Sequence, residues 1–446
     1  MRRSHAPIAV AVGSLAAVLL LGRHVDYIWH HPGYRWVLGA WMAGTAMVFV
    51  QWIVSWLDRS PRLDDQPELD RLHVAISLPV YNEDPRILDR TLWAAVNQER
   101  RPQRIDVVDD GSVIDYTALR AHWEGNHHGC VVRWIRQPNA GKKAAQARTF
   151  SNPGSADIIV TVDSDSALEP SAIRRGLTQF ADPTVQSVAG MELAYNFRHN
   201  WLTRTVYART LFFQVVACGA QSAFGDVLVN RGPFALYRAD LLAETCDAYT
   251  EETFWGRRIK LGDDAALTLF ARGRGRAVQQ SDAFVFSMFP EKLSHHLRQW
   301  TRWMRGSTTR NCWRIRYLPV FSYGWWYTLV SMFLFLMAIA GPVCMAATWP
   351  ASEGVVLWTT GALVPWAWLS GLRILAVRRS DETRSSRLVT WACYPTSILW
   401  MLAVLHWVRV WSIFTFLRQG WNTRRDGAES LEVTEAKSIA DAKVWS

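Results

Sequence analysis

Long uncharged runs bracket a stretch of ordinary mixed sequence, and that arrangement rules out a single water-soluble domain. Residues 6–22 (17 residues) and 36–56 (21 residues) carry no charged side chain, and a bilayer core takes ~20 apolar residues per helix. Residues 317–352, 354–372 and 388–408 are uncharged in the same way. Between the two groups lie about 260 residues of mixed composition. The chain therefore reads as membrane, soluble domain, membrane. A cleaved leader is the competing reading of the first run, but Gly22, Arg23 and His24 make a poor small-residue cleavage site. The chain's 25 tryptophans fit a membrane surface, and they fit stacking on sugar rings equally well. Its six cysteines are scattered without a C-x-x-C pair, which suggests neither a disulfide framework nor a zinc site.

Orientation follows the arginines near the spans. Arg2, Arg3, Arg59, Arg62, Arg314, Arg316 and the four arginines between 378 and 387 would all be cytoplasmic if two spans precede the domain and two follow it. A third downstream span would carry Arg418, Arg424 and Arg425 outside. The expected layout is two N-terminal spans in 1–60, a cytoplasmic domain in 61–290, a basic amphipathic interface helix in 291–316, membrane helices in 317–417 and a tail in 418–446. The expected location is the plasma membrane.

Inside the soluble part, residues 73–78, 105–108, 131–135 and 158–162 are β-branched runs, each followed by a turn signal and a helix-compatible stretch. That rhythm implies βαβ units and a mostly parallel sheet in an α/β domain. Ligands bind such sheets beyond the carboxyl ends of the strands. There the sequence reads Pro79-Val80-Tyr81-Asn82-Glu83, then Asp109-Asp110-Gly111-Ser112, then Asn139-Ala140-Gly141-Lys142, then Asp163-Ser164-Asp165. An Asp-Gly turn alone is more often a solvated loop than a site. Asp163 and Asp165, however, close a strand at spacing two, so both carboxylates can point to one side and share a hard cation, Mg2+ or Mn2+, with a diphosphate.

Two further motifs stand downstream: Gly262-Asp263-Asp264, and Gln299-Trp300-Thr301-Arg302-Trp303. The first could be a surface ion cluster beside Arg257, Arg258 and Lys260. The second lies in a basic, aromatic stretch that reads equally as a helix on an anionic membrane surface. Adjoining spans make nucleic acid an unexpected partner despite the +10 net charge.

The ordered set of Asp109-Asp110, Asp163-x-Asp165, Gly262-Asp263-Asp264 and Gln299-x-x-Arg302-Trp303 resembles the membrane-embedded family 2 glycosyltransferases, the group of hyaluronan, chitin-oligosaccharide and cellulose synthases. Gly-Asp-Asp looks more like hyaluronan and chitin-oligosaccharide synthases than cellulose synthases, while the Gly232-to-Arg238 segment and Trp421-Asn422-Thr423-Arg424 resemble hyaluronan synthases. Arg231, where a small residue is usual, and Asn422, where glycine is usual, depart from that pattern.

The resemblance implies a Rossmann-like, glycosyltransferase A-type domain between transmembrane helices. It also implies a processive inverting β-glycosyltransferase that polymerises UDP-sugars, UDP-GlcNAc with or without UDP-GlcA, and exports the polysaccharide. It places Tyr81, Asp109 and Asp110 around uracil and ribose, Lys142 by the diphosphate, and Trp421 and Arg424 against the UDP from a cytoplasmic tail. A cytoplasmic tail makes one downstream apolar stretch re-entrant. An acceptor hydroxyl has a pKa far above 7, so a base must take its proton, and Asp264 is the candidate. Arg302 offers forked donors to the departing diphosphate, with Gln299 beside it, and Trp303 offers a stacking face to the acceptor sugar. The rival enzymes are a chitin-oligosaccharide synthase using UDP-GlcNAc alone and a single-addition transferase on a lipid acceptor. The rival outside enzymes is a transporter with a nucleotide sensor.

Overall fold

The computed structural model describes residues 6–58, 67–379 and 381–420. The central domain is built on one nine-stranded sheet. Its strands are β1 (Val74–Val80), β2 (Arg104–Asp109), β3 (Gly125–His127), β4 (Cys130–Arg136), β5 (Ile158–Thr161), β6 (Ala167–Leu168), β7 (Val185–Ala194), β8 (Ala235–Arg238) and β9 (Arg276–Ser287). They lie in the order β3-β4-β2-β1-β5-β8-β7-β9-β6. Strands β4, β2, β1 and β5 pair in parallel, β8 runs antiparallel to both β5 and β7, and β7 pairs in parallel with β9. Six strands thus point the same way, and the mostly parallel sheet foreseen from the β-branched runs is present.

Helices cover both faces, so the central strands are apolar without alternation: Val74, Ala75, Ile76, Leu78 and Val80 of β1 are all buried. The four expected strands appear within two residues of their expected limits. Strand β9 was not expected, because its middle reads Gln279-Gln280-Ser281-Asp282 and its register against β7 slips between Gln279 and Phe284. Both glutamines are nonetheless buried. Gln279 exchanges hydrogen bonds with Ser222, and Gln280 is bonded to Gln179 and Asp282.

Four helical segments are long and apolar enough to cross a membrane, by length and composition: Pro32–Val54, Tyr323–Ala347, Glu353–Ala376 and Arg384–Phe414. A further helix, Ala6–Trp29, packs against the third of these, where Tyr27 stacks on Trp358 and fills the space a side chain at Gly354 would need.

The domain and the apolar helices are joined by polar contacts. Gly324 N–H donates to the Asp226 carboxylate at 3.1 Å, and Arg314 to the Leu228 carbonyl at 2.8 Å. Arg379 is buried, donates twice to Asp381 and once to the Ala194 carbonyl at the end of β7. At the other junction Arg373 bonds Ser55 and lies over the ring of Trp56.

The segment after residue 380 packs on the apolar helices, with Trp391 donating to the Trp368 carbonyl and Arg409 lying over Phe335, and it also touches the domain. Thr396 bonds Thr205, Trp400 donates to His296, the Leu405 carbonyl accepts from Trp300, and Ser412 donates to the Thr301 carbonyl. Finally Arg305 donates to the Thr415 hydroxyl, and Gln419 Oε1 accepts from the backbone of Lys260 and Leu261. The 384–419 stretch therefore runs along the helix Leu293–Tyr317 and touches the domain at both of its ends.

Candidate active site

The site forms where four strand ends meet, and its loops are locked to one another by short polar bonds. After β1, Asn82 adopts a left-handed conformation (φ 49°) and is held by Ser112 and Val113 of the loop after β2. Glu83 accepts from Ser164, inside the Asp-x-Asp motif that follows β5. Tyr81 sits half-buried in the same turn.

Asp109 and Asp110 are both buried. Asp109 accepts from the Ser112 N–H and faces Arg136 at 3.7 Å. Asp110 accepts from Gln137 at 2.7 Å and from the backbone of Ala140 at 2.9 Å and Gly141 at 2.8 Å. Its carboxylate thereby fixes the loop that starts the helix Lys142–Phe150. Gly141 takes φ 94° there, a value a side chain would resist.

That loop aims Lys142 into the centre. Its ammonium lies 2.8 Å from Asp163, 2.8 Å from Asp263 and 3.8 Å from Asp264. Gly232 completes the cluster: a Cβ at that position would stand 2.9 Å from an Asp163 oxygen and 3.0 Å from both Asp264 oxygens. Only a glycine lets the chain pass so close to both carboxylates, a constraint that the Gly232-Pro233 pair carried in sequence without announcing it.

Electrostatically the two neighbouring aspartates are pushed apart. Burial raises both, but the Lys142 ammonium and then the Arg302 guanidinium hold Asp263 down at about 2. Asp264 is raised well above the ordinary carboxylate range by burial and by the negative charge of Asp263. Lys142, opposed by burial, is held charged by Asp163, Asp263 and Asp264. The pair thus divides into a permanent anion and a carboxylate that binds a proton readily, the division that acid–base chemistry requires.

The Gln299–Trp303 motif lies on the helix Leu293–Tyr317. Arg302 acts on the site through its charge on Asp263. Trp303 is exposed and meets Trp300 edge to face at 6.1 Å. The buried Gln299 Oε1 has no hydrogen-bond partner among the described residues. Asp165 has the Ser166 hydroxyl at 3.3 Å and the charge of Arg90 nearby. Trp421 and Arg424 lie outside the described residues.

A buried network behind the site had no signal in the sequence. Glu252 accepts two bonds from Arg310, at 2.5 and 2.6 Å, and one from Lys143. Arg310, 0% exposed, also donates to the Gly262 carbonyl at 3.0 Å. Gly262 is left-handed (φ 75°), and a Cβ on Gly306 would come within 3.0 Å of its nitrogen. The helix carrying Arg302, the helix starting at Asp263 and the helix starting at Lys142 are thereby fixed to one another.

Carboxylates and a lysine thus converge at the strand ends of this sheet. Residues 71–306 match the family described as "Glycosyltransferase like family 2". The chain belongs to that family, as a membrane-embedded glycosyltransferase. It is 29% identical over 359 residues to a hyaluronan synthase of Streptococcus pyogenes, covering 79% of this chain and 83% of the relative. It is 27% identical over 382 residues to an N-acetylglucosaminyltransferase of Rhizobium sp. (strain N33), covering 82% and 81%. Among solved structures, the mannosyltransferase PcManGT from Pyrobaculum calidifontis, in complex with GDP-Man and Mn2+, aligns with a TM-score of 0.47 and 17% identity, covering 91% of this chain and 97% of that one.

Proposed function

We propose that the protein is a processive inverting β-glycosyltransferase of the hyaluronan-synthase kind, which polymerises UDP-sugars at a cytoplasmic site and exports the chain through its membrane helices. The observation that carries this reading is the meeting of Lys142, Asp163, Asp263, Asp264 and Gly232 beside the Arg302 helix. Asp264 takes the proton of the acceptor hydroxyl as its oxygen attacks C1 of the donor. The bond from C1 to the diphosphate breaks on the opposite face, and UDP leaves, so an α-linked donor becomes a β-linked product. Negative charge grows on the leaving diphosphate, where Lys142 and the forked donors of Arg302 meet it. Tyr81 and the Asp109 turn bind the nucleoside end. Gln299 and Trp303 orient the acceptor, and Trp421 and Arg424 close over the UDP from the tail.

Asp163 and Asp165 fit a divalent ion as an oxygen-only pair, although among the described residues no group of three or more His, Cys, Asp or Glu could hold one. The ion would then share its sphere with diphosphate oxygens and water, and Mg2+ or Mn2+ would supply Lewis-acid charge there. Lys142 now occupies the position between Asp163 and Asp263 where positive charge is wanted.

Helices Ala6–Trp29 and Pro32–Val54 cross the plasma membrane before the domain, and Tyr323–Ala347 and Glu353–Ala376 after it. The 384–414 segment stays on the domain's side as a re-entrant element, a reading supported by its contacts at both ends. That arrangement keeps Arg418 and the tail cytoplasmic, in line with the arginines near the spans.

UDP release by the purified protein with Mg2+ or Mn2+, given UDP-GlcNAc and UDP-GlcA singly and together, tests the reading. Turnover that needs both donors and yields long product supports it. Turnover on UDP-GlcNAc alone would favour a chitin-oligosaccharide product, the reading to which the rhizobial relative points. A single added sugar on a lipid would sink processivity.

A further inference from the structure

We propose that the hairpin 253–258, together with Lys260, is a docking surface for the acidic segment 426–435 of the chain's own tail. The docking stands apart from the function proposed above, and its consequence for turnover rests on that function through Trp421 and Arg424. The hairpin lies outside the main sheet, with Arg257 paired to Phe254 and Arg258 to Thr253 in antiparallel register. Both residues of its tip have positive φ, 50° at Trp255 and 71° at Gly256, as the tightest hairpin turn requires. A tryptophan rarely takes that conformation, and Trp255 is 76% exposed. Arg257, Arg258 and Lys260 are exposed beside it, and among the described residues no carboxylate lies within ion-pair distance of any of the three. Glu252, the residue before the hairpin, is committed inward to Arg310 and Lys143.

The chain leading into the tail already lies on this surface. The Phe416 ring meets Phe254 at 5.8 Å and Trp255 at 5.6 Å, edge to face in both cases. Gln419 accepts from the Lys260 and Leu261 amides at 3.0 and 3.1 Å. Six residues separate Gly420 from Asp426 along the chain, a reach of about 20 Å when extended. Beyond them, outside the described residues, Asp426, Glu429, Glu432 and Glu435 follow at intervals of three with no Lys or Arg among them. Carboxylates are thus tethered within reach of three unanswered cations, at an effective concentration that an outside anion seldom matches. Arg424 and Arg425 share the hairpin's sign and are kept off it. Docking closes the intervening segment at both ends, by Gln419 and by the acids, which lowers the entropic cost of holding Trp421 and Arg424 over the site. An anionic bilayer is the rival occupant of a basic hairpin tipped by tryptophan, and the contacts of Phe416 and Gln419 favour the tail.

The test uses the full-length protein in neutral detergent. A zero-length carbodiimide joins an amine to a carboxylate only where the two touch. At low salt it should couple Lys260 to Glu429, Glu432 or Glu435, read by peptide mass spectrometry, and the product should fall at least ~5-fold near 1 M salt, where the screening length is about 3 Å. Arg257→Glu with Arg258→Glu should lose the cross-link and raise the donor KM about 3- to 5-fold, the worth of two exposed ion pairs. Adding Glu429→Arg and Glu432→Arg should restore the donor KM, and an unchanged thermal melt reports that each variant is folded. A wild type without a cross-link from Lys260 to 426–435 at low salt overturns the inference, as does a cross-link that survives the reversal of Arg257 and Arg258. A reversal felt only in vesicles containing anionic lipid assigns the hairpin to the membrane and overturns it too. The cross-link needs no turnover, so a wild type that docks its tail yet releases no UDP from UDP-GlcNAc, UDP-GlcA or both together overturns the proposed function and leaves the docking intact.

Discussion

At the scale of single residues the site is a charge cluster held together by Lys142. Because Asp264 is raised above the ordinary carboxylate range, the stability tied to its proton is present below its unfolded pKa and is lost as pH rises through the higher folded value. Asp264→Asn removes that loss, so the variant should melt higher than wild type at pH 7 to 8 and show little difference near pH 4, as followed by thermal unfolding. The same shift places the acid limb of turnover above the ordinary carboxylate range, since the base must be free to accept a proton, and a pH–rate profile reads it directly. Asp110 acts on the site through backbone. Asp110→Asn deprives the Ala140 or Gly141 N–H of an acceptor, at a cost of about 1–3 kcal/mol. It should raise the donor KM more than it lowers kcat in a UDP-release assay. The convergence of Asp163, Asp263 and Asp264 was foreseeable because carboxylates at strand ends have few structural reasons to recur. Gly232 and Glu252 were not legible, because a glycine's near contact or a buried acid's partner depends on distant chain brought alongside.

Among the elements, the helices beginning at Lys142 and Asp263 and the helix carrying Arg302 behave as one assembly through Glu252. Glu252→Gln leaves the buried Arg310 and Lys143 with uncompensated charge, which costs about 3–5 kcal/mol when one partner of a buried pair is removed. The expected outcome is a lower Tm, together with a kcat loss larger than any change in donor KM; an unchanged Tm would show the network to be idle. The four strands β1, β2, β4 and β5 were readable as short β-branched runs ending in turns. Strands β7 and β9 escaped notice because their polar residues are satisfied inside the domain by Gln214 and Ser222, contacts that no local pattern encodes. The basic, aromatic stretch at 291–316 was readable as a helix, but much of its length is covered by the 384–419 segment, so a hydrophobic pattern that suggested lipid serves packing as well.

For the whole molecule the decisive feature is the return of the chain to the domain, with Gln419 capping the Lys260 and Leu261 amides two residues ahead of Asp263. Uncharged length alone could not distinguish a crossing helix from one that lies against a domain, which is why 384–414 was ambiguous in sequence. Cysteines placed singly at Gly420 and at the exposed Val113, in a background lacking the exposed Cys312 and Cys344, should react with an impermeant maleimide from the same face of sealed vesicles. Labelling from opposite faces would overturn the re-entrant assignment. Gln419→Ala should loosen the Lys260–Leu261 loop and lower kcat severalfold without changing UDP binding, measured by titration calorimetry.

The central claim is that Asp264 is the base of a sugar transfer, and it is tested most directly by measuring UDP release and UDP-sugar binding in parallel for Asp264→Asn. Loss of turnover by about 10²- to 10⁴-fold with donor affinity retained is the result the account predicts. Near-wild-type turnover in that variant would contradict it.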